Sequence, residues 1–76
     1  MNFTNWLQNQ QCREDSIGDL ARDAAQDSGW PTEDDLNIYI IYLESQGACD
    51  GAMDAIRMAW DEYKKEAKSI ERLMSW

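Results

Sequence analysis

One stretch near the N-terminus, DSIGDLARDAAQDSGWP at residues 15–31, constrains the fold more than any other part of the chain. Ile17, Leu20, Ala21, Ala24 and Ala25 recur at i, i+3, i+4, i+7 and i+8, which places them in one apolar stripe along a helix. Ser16 is a natural N-cap, and Asp19 stands three residues later in a capping-box-like relation. Gly29 suits the left-handed residue that closes a helix, and Pro31 prevents continuation. The pattern predicts a helix over residues 17–28. Its alanine-rich stripe allows a neighbouring helix to approach closely.

The opposite face carries Asp15, Asp19, Asp23 and Asp27, one acid every four residues. A rise of about 1.5 Å per residue sets successive carboxylates roughly 6 Å apart along the axis. Like charges at this spacing cost a helix about 0.2–0.5 kcal/mol per pair, and Arg22 is the nearby cation that can offset them. Two readings follow. The row is a solvated face whose first members also suit the helix dipole, or it is an acidic docking strip for a basic partner.

The chain of 76 residues is one small domain. Four Trp, three Tyr and one Phe supply a core, and a single Pro with four Gly leaves the helical patterns uninterrupted, so an all-α domain is expected. The formal charge is −8. Residues 1–56 hold eleven acids and two bases, a net of −9, whereas residues 57–76 hold four acids and five bases, a net of +1. Such a body repels phosphates, so direct nucleic-acid binding is disfavoured. A basic partner protein, including a nucleic-acid-binding one, is the complementary choice. No apolar run approaches transmembrane length, and MNFTNWLQNQ does not read as a signal peptide, so a cytoplasmic setting is expected. Cys12 and Cys49 belong to no C-x-x-C motif and are expected as reduced, semi-buried thiols. With no His in the chain, neither a zinc site nor any other metal or cofactor is expected.

Phe3, Trp6 and Leu7 mark a short first helix over about residues 2–10, too short to stand without docking its aromatic pair. Trp30 precedes Pro31 and is biased to an extended conformation. It either packs over the helix junction or anchors a partner. A third helix is expected over residues 33–46, with Glu33, Asp34 and Asp35 in its first turn. Three consecutive carboxylates splay around a helix and do not converge on one ion. Leu36, Tyr39, Ile40 and Leu43 form one face, and Ile38, Ile41 and Tyr42 widen it almost all round, which predicts a central helix buried on several sides. Gly47 ends it. A fourth helix, capped by Cys49 or Asp50, keeps its spacing through Ala52, Ile56, Ala59, Trp60, Tyr63 and Ala67. Its last turns favour cations at Lys64, Lys65 and Lys68, and Asp61 can pair with Lys65. In the tail, Ile70, Leu73 and Met74 share a face and Trp76 finishes the chain. They either continue the packing stripe or form an apolar ridge for a partner or a second copy.

Phe3-x-x-Trp6-Leu7, the run Asp15-Ser16-Ile17-Gly18-Asp19-Leu20-Ala21 with Asp23 and Asp27, Trp30-Pro31, Tyr42-Leu43, Gly47-Ala48-Cys49 and Ala59-Trp60-x-x-Tyr63 occur in this order. This set resembles the bacterial YozE-like family, a small domain with a four-helix fold like the sterile alpha motif. The likeness spans about residues 3–63. It implies a compact four-helix bundle with a short first and a long last helix, in a bacterial or phage cytoplasm, and it implies no reaction. Trp30 stands where the family more often has Phe, and residues 66–76 extend beyond the familiar ending.

Catalysis has little support in the residues. There is no His to activate a Cys, and no glycine-rich phosphate loop. A bundle of this size also has little room for an enclosed pocket that would perturb its carboxylates. The expectation is a non-catalytic interaction module. It would bind a basic partner through Asp15, Asp19, Asp23 and Asp27, with Trp30 and the tail residues Ile70, Leu73, Met74 and Trp76 as further contacts. The runner-up is an acidic mimic that blocks the nucleic-acid channel of another protein. Direct binding of nucleic acid through Arg57, Lys64, Lys65, Lys68 and Arg72 ranks third.

Overall fold

Four helices follow one another: α1 (Phe3–Gln8), α2 (Ser16–Gln26), α3 (Leu36–Ser45) and α4 (Asp50–Met74). The structure, a computed structural model, describes the backbone of residues 2–74 and the side chains of residues 2–68. No strand occurs among the described residues, so the all-α expectation holds, with the short first and long last helix.

The centre of the bundle is α4, which packs against α1, α2 and α3. This differs from the expectation that α3 would be buried on several sides. Only Tyr39 and Leu43 of α3 are fully buried, and Ile41 is 65% exposed. The physical reason lies in the partner surfaces. Buried alanines on both α2 (Ala21, Ala24) and α4 (Ala55, Ala59) let those two helices close on each other. The ten-residue α3 is left on the flank, and its outer isoleucine is left uncovered by the described residues. Ala25, expected in the α2 stripe, is also exposed, one position beyond the buried face.

Six residues of α1 cannot form a stable helix alone. Asn2 caps it, its side chain accepting from the Asn5 amide at 2.9 Å. Phe3 then anchors it among Tyr39, Trp60 and Tyr63, with ring centroids 4.9, 5.2 and 5.5 Å away. Burying a ring of this kind stabilises by about 1.5–3 kcal/mol. On the far side Trp6 donates its indole N–H to Glu66 of α4.

Helix boundaries correct several sequence expectations. The N-cap of α2 is Asp15, whose side chain accepts from the Gly18 amide at 2.9 Å, and Ser16 is the first helical residue. Asp outranks its neighbour here because Arg13 holds the same carboxylate. The helix ends at Gln26 with Asp27 as an extended C-cap. Gly29 does not take the left-handed conformation; among the described residues only Gly47 does, at φ 69°. There Ala48 N–H donates to the Leu43 carbonyl and Gly47 N–H to that of Glu44, a Schellman closure of α3.

The acidic triplet precedes α3 instead of lying in its first turn. Asp35 is the N-cap, accepting from the Asn37 amide at 2.9 Å. Asp34, though exposed, accepts from the Phe3 amide and the Tyr63 hydroxyl, each at 3.1 Å. One carboxylate thus ties the start of α1 to the middle of α4. Thr4 secures the same junction by donating to the Pro31 carbonyl at 2.9 Å and meeting the Tyr39 hydroxyl at 2.8 Å.

Candidate partner-binding site

The acidic row of α2 is best judged by what each carboxylate already holds. Asp15 caps the helix and pairs with Arg13 at 2.7 Å, and Arg13 reaches on to Glu62 of α4 at 3.0 Å. The Arg13 guanidinium, aided by the Gly18 amide, keeps the Asp15 carboxyl below its ordinary value. Asp27, at the other end, accepts from the Gly29 amide at 2.9 Å and from the Tyr42 hydroxyl. That bond to Asp27 raises the Tyr42 hydroxyl above its usual value, because ionising it would set two negative charges together. Both ends of the row are therefore engaged in holding the fold.

The two middle members differ. Asp19 is exposed and pairs with Arg22, three residues later. Arg22 is itself committed elsewhere: its Nη1 donates to the carbonyls of Gln11 and Arg13 at 2.6 and 3.0 Å. It thus clamps the loop that leads into α2. Asp23 is exposed and forms no ion pair or side-chain hydrogen bond among the described residues.

Asp19 and Asp23 line one side of a groove of about 260 Å³ between α2 and α4, together with Ser16 and Leu20. The opposite wall is Cys49, Gly51, Ala52 and Ala55, the start of α4. Small side chains on that wall keep it open. A Cβ on Gly51 would meet only the Cys49 Sγ within 4 Å, at 3.8 Å. The groove presents an apolar floor of Leu20, Ala52 and Ala55 under two carboxylates. This wall escaped sequence reasoning, because nothing in residues 49–55 announces which part of α2 they face. The small-residue run Gly47-Ala48-Cys49-x-Gly51-Ala52 was its only visible sign.

Trp30 packs against Tyr39 and Tyr42, with centroids 5.6 and 5.8 Å away, and does not line the groove. Its half-buried indole lies over the core, and its N–H is buried without an acceptor among the described residues. Cys12 and Cys49 are free and exposed, not semi-buried as expected, since both sit on connectors at the ends of helices. The side chains of Ile70, Leu73, Met74 and Trp76, and with them the suggested apolar ridge, lie outside the described residues. The expected Asp61–Lys65 pair forms at 3.1 Å, and Lys64 lies over the Trp60 ring at 4.9 Å.

Among the described residues, no three His, Cys, Asp or Glu side chains are placed to share a metal ion. No described helix is long and apolar enough to cross a membrane.

No curated protein and no solved structure gives a significant match to the chain. A family model does, and it covers the helices that build the groove: the model described as the YozE SAM-like fold matches residues 2–65, so this chain belongs to the YozE SAM-like family.

Proposed function

We propose that this protein is a non-catalytic interaction module that binds a basic partner protein through the exposed acidic face of α2. The observation that carries the reading is the division of the aspartate row. Asp15 and Asp27 serve the fold, whereas Asp23 stands exposed with no ion pair among the described residues and Asp19 shares a single, already committed arginine. Like charges held at i, i+4 cost the helix a few tenths of a kcal/mol, and a cationic partner would relieve that cost. The chain's net charge of −8 would speed the encounter with such a partner. The same proposal sets the module in a reducing bacterial cytoplasm, where its exposed thiols stay unpaired.

The test is to capture binding proteins at low salt, purify the best candidate, and measure its affinity for wild type and for an Asp19→Asn/Asp23→Asn double variant. A basic partner bound at least about tenfold more weakly by the double variant, an effect of about 1.4 kcal/mol, supports the reading. Equal affinity for both forms overturns it. A partner that loses its DNA or RNA when this protein binds would make the protein a phosphate mimic.

A further inference from the structure

The acidic face is not a flat patch, and the shape beneath it narrows what its ligand must be. Asp19 and Asp23 stand on the rim of the α2/α4 groove, with Leu20, Ala52 and Ala55 below. About 260 Å³ is ample for one extended side chain, and it falls short of the roughly 300–1,000 Å³ typical of small-molecule sites. An apolar trough ending under a carboxylate matches one kind of group: an aliphatic stem that carries a positive head.

We propose that this groove is a socket for a single long cationic side chain, lysine or arginine, of the partner, with the stem along Leu20, Ala52 and Ala55 and the head at Asp23. The inference rests on the preceding reading that the α2 face binds a basic partner, and it specifies how. Charge complementarity selects the occupant. The positive end of the α4 dipole borders the groove at Cys49 and Gly51, and on its own it would repel a cation. Asp50 in the first turn of α4 offsets it. Asp19 likewise offsets the N-terminus of α2, and Asp23 has no ion pair among the described residues. Arg22 is held back by the carbonyls of Gln11 and Arg13, so it does not fold over to fill the site itself.

The experiment follows the backbone amides of the intact, isotope-labelled protein as three acetylated and amidated glycine peptides are added at low salt. Their central residues are lysine, 2,4-diaminobutyrate and norleucine. At a pH where both amines are charged, the first two differ by two methylenes and not by charge. The lysine peptide is expected to shift the amides of Leu20, Asp23, Ala52 and Ala55. The diaminobutyrate peptide should bind about fifteenfold more weakly, at roughly fourfold for each of the two methylenes withdrawn from the trough. The norleucine peptide should not bind.

Filling the trough by Gly51→Leu or Ala52→Leu should abolish the shifts while the far-ultraviolet spectrum stays helical. Gly51→Leu is the safer variant, because no backbone atom crowds that position. Equal binding of the two amines, lost in Asp23→Asn but untouched by Gly51→Leu, overturns the socket and leaves the acidic-face reading intact. Norleucine binding as well as lysine overturns the socket as a cation site. If neither amine shifts any amide, the socket fails, and the acidic-face reading is then judged by the partner affinities alone.

Discussion

Gly18 lies directly against the carbonyl of Arg13: a Cβ built on it would stand 2.0 Å from that oxygen and 2.7 Å from its carbon. The chain preceding α2 folds back across the helix's first turn, and Arg22 holds it there through the same carbonyl. Glycine in a helix ordinarily costs about 1 kcal/mol relative to alanine. Here it is required because main chain occupies the space a side chain would need. Gly18→Ala is therefore expected to destabilise the protein by about 2 kcal/mol, the overpacking cost outweighing the propensity gain. Urea unfolding checks the sign. A stabilised variant would mean that the loop yields freely.

The aspartates of the α2 row should separate in a stability series. Asp23→Asn removes a like-charge neighbour and breaks no bond, so its stability should change by less than about 0.5 kcal/mol. Asp27→Ala removes the acceptor of the Tyr42 hydroxyl and the Gly29 amide and should cost about 1–2 kcal/mol. Thermal unfolding of the two variants side by side decides whether the row divides as described.

Asp34 provides a similar contrast within the acidic triplet. It bridges the Phe3 amide and the Tyr63 hydroxyl, whereas Glu33 next to it makes no side-chain bond among the described residues. Asp34→Ala should cost about 1–3 kcal/mol and Glu33→Ala close to nothing. In Asp34→Ala the protection of α1 amides against hydrogen exchange should fall first, because a six-residue helix depends on its anchors.

Alkaline solution should unfold the protein through its tyrosines. Burial raises the Tyr39 and Tyr63 hydroxyls above their ordinary value, Asp34 adding to the rise at Tyr63, and the bond to Asp27 raises Tyr42. Each is protonated in the folded state at a pH where the unfolded chain has already released its proton. The stability they contribute is thus fully present below the unfolded value of about 10 and is lost as pH rises through the higher folded values. The urea midpoint should fall steeply above about pH 10, and Tyr63→Phe should make that fall shallower. A midpoint that does not move with pH would contradict the packing of these rings.

Exposure on α3 is open to a direct check. Ile41→Lys should change stability by less than about 0.5 kcal/mol, whereas Leu43→Ala, two residues on and buried, should cost about 2–4 kcal/mol. Comparable losses at both sites would mean that the outer face of α3 is covered in solution.

Sequence alone determined the number and type of elements. Periodicity is a local property, so Ile17, Leu20, Ala21 and Ala24 declare their shared face without reference to anything else, and Gly47 declares the end of α3. The anchoring aromatics Phe3 and Trp6 were legible because a helix that short has no other source of stability. Which helix occupies the centre was decided only by the tertiary structure. The mean apolarity of α3 exceeds that of α4, yet α4 is central because its length and its buried alanines allow contact with three partners at once. The fate of each aspartate was decided in the same way. Asp15, Asp19, Asp23 and Asp27 are identical in type and spacing. What distinguishes them is contributed by residues beyond the row: Arg13 and Arg22 at one end, Tyr42 from α3 at the other, and the small side chains of α4 facing the middle. A carboxylate's role depends on its partners, and only the fold brings residues 13, 42 and 52 to the same helix.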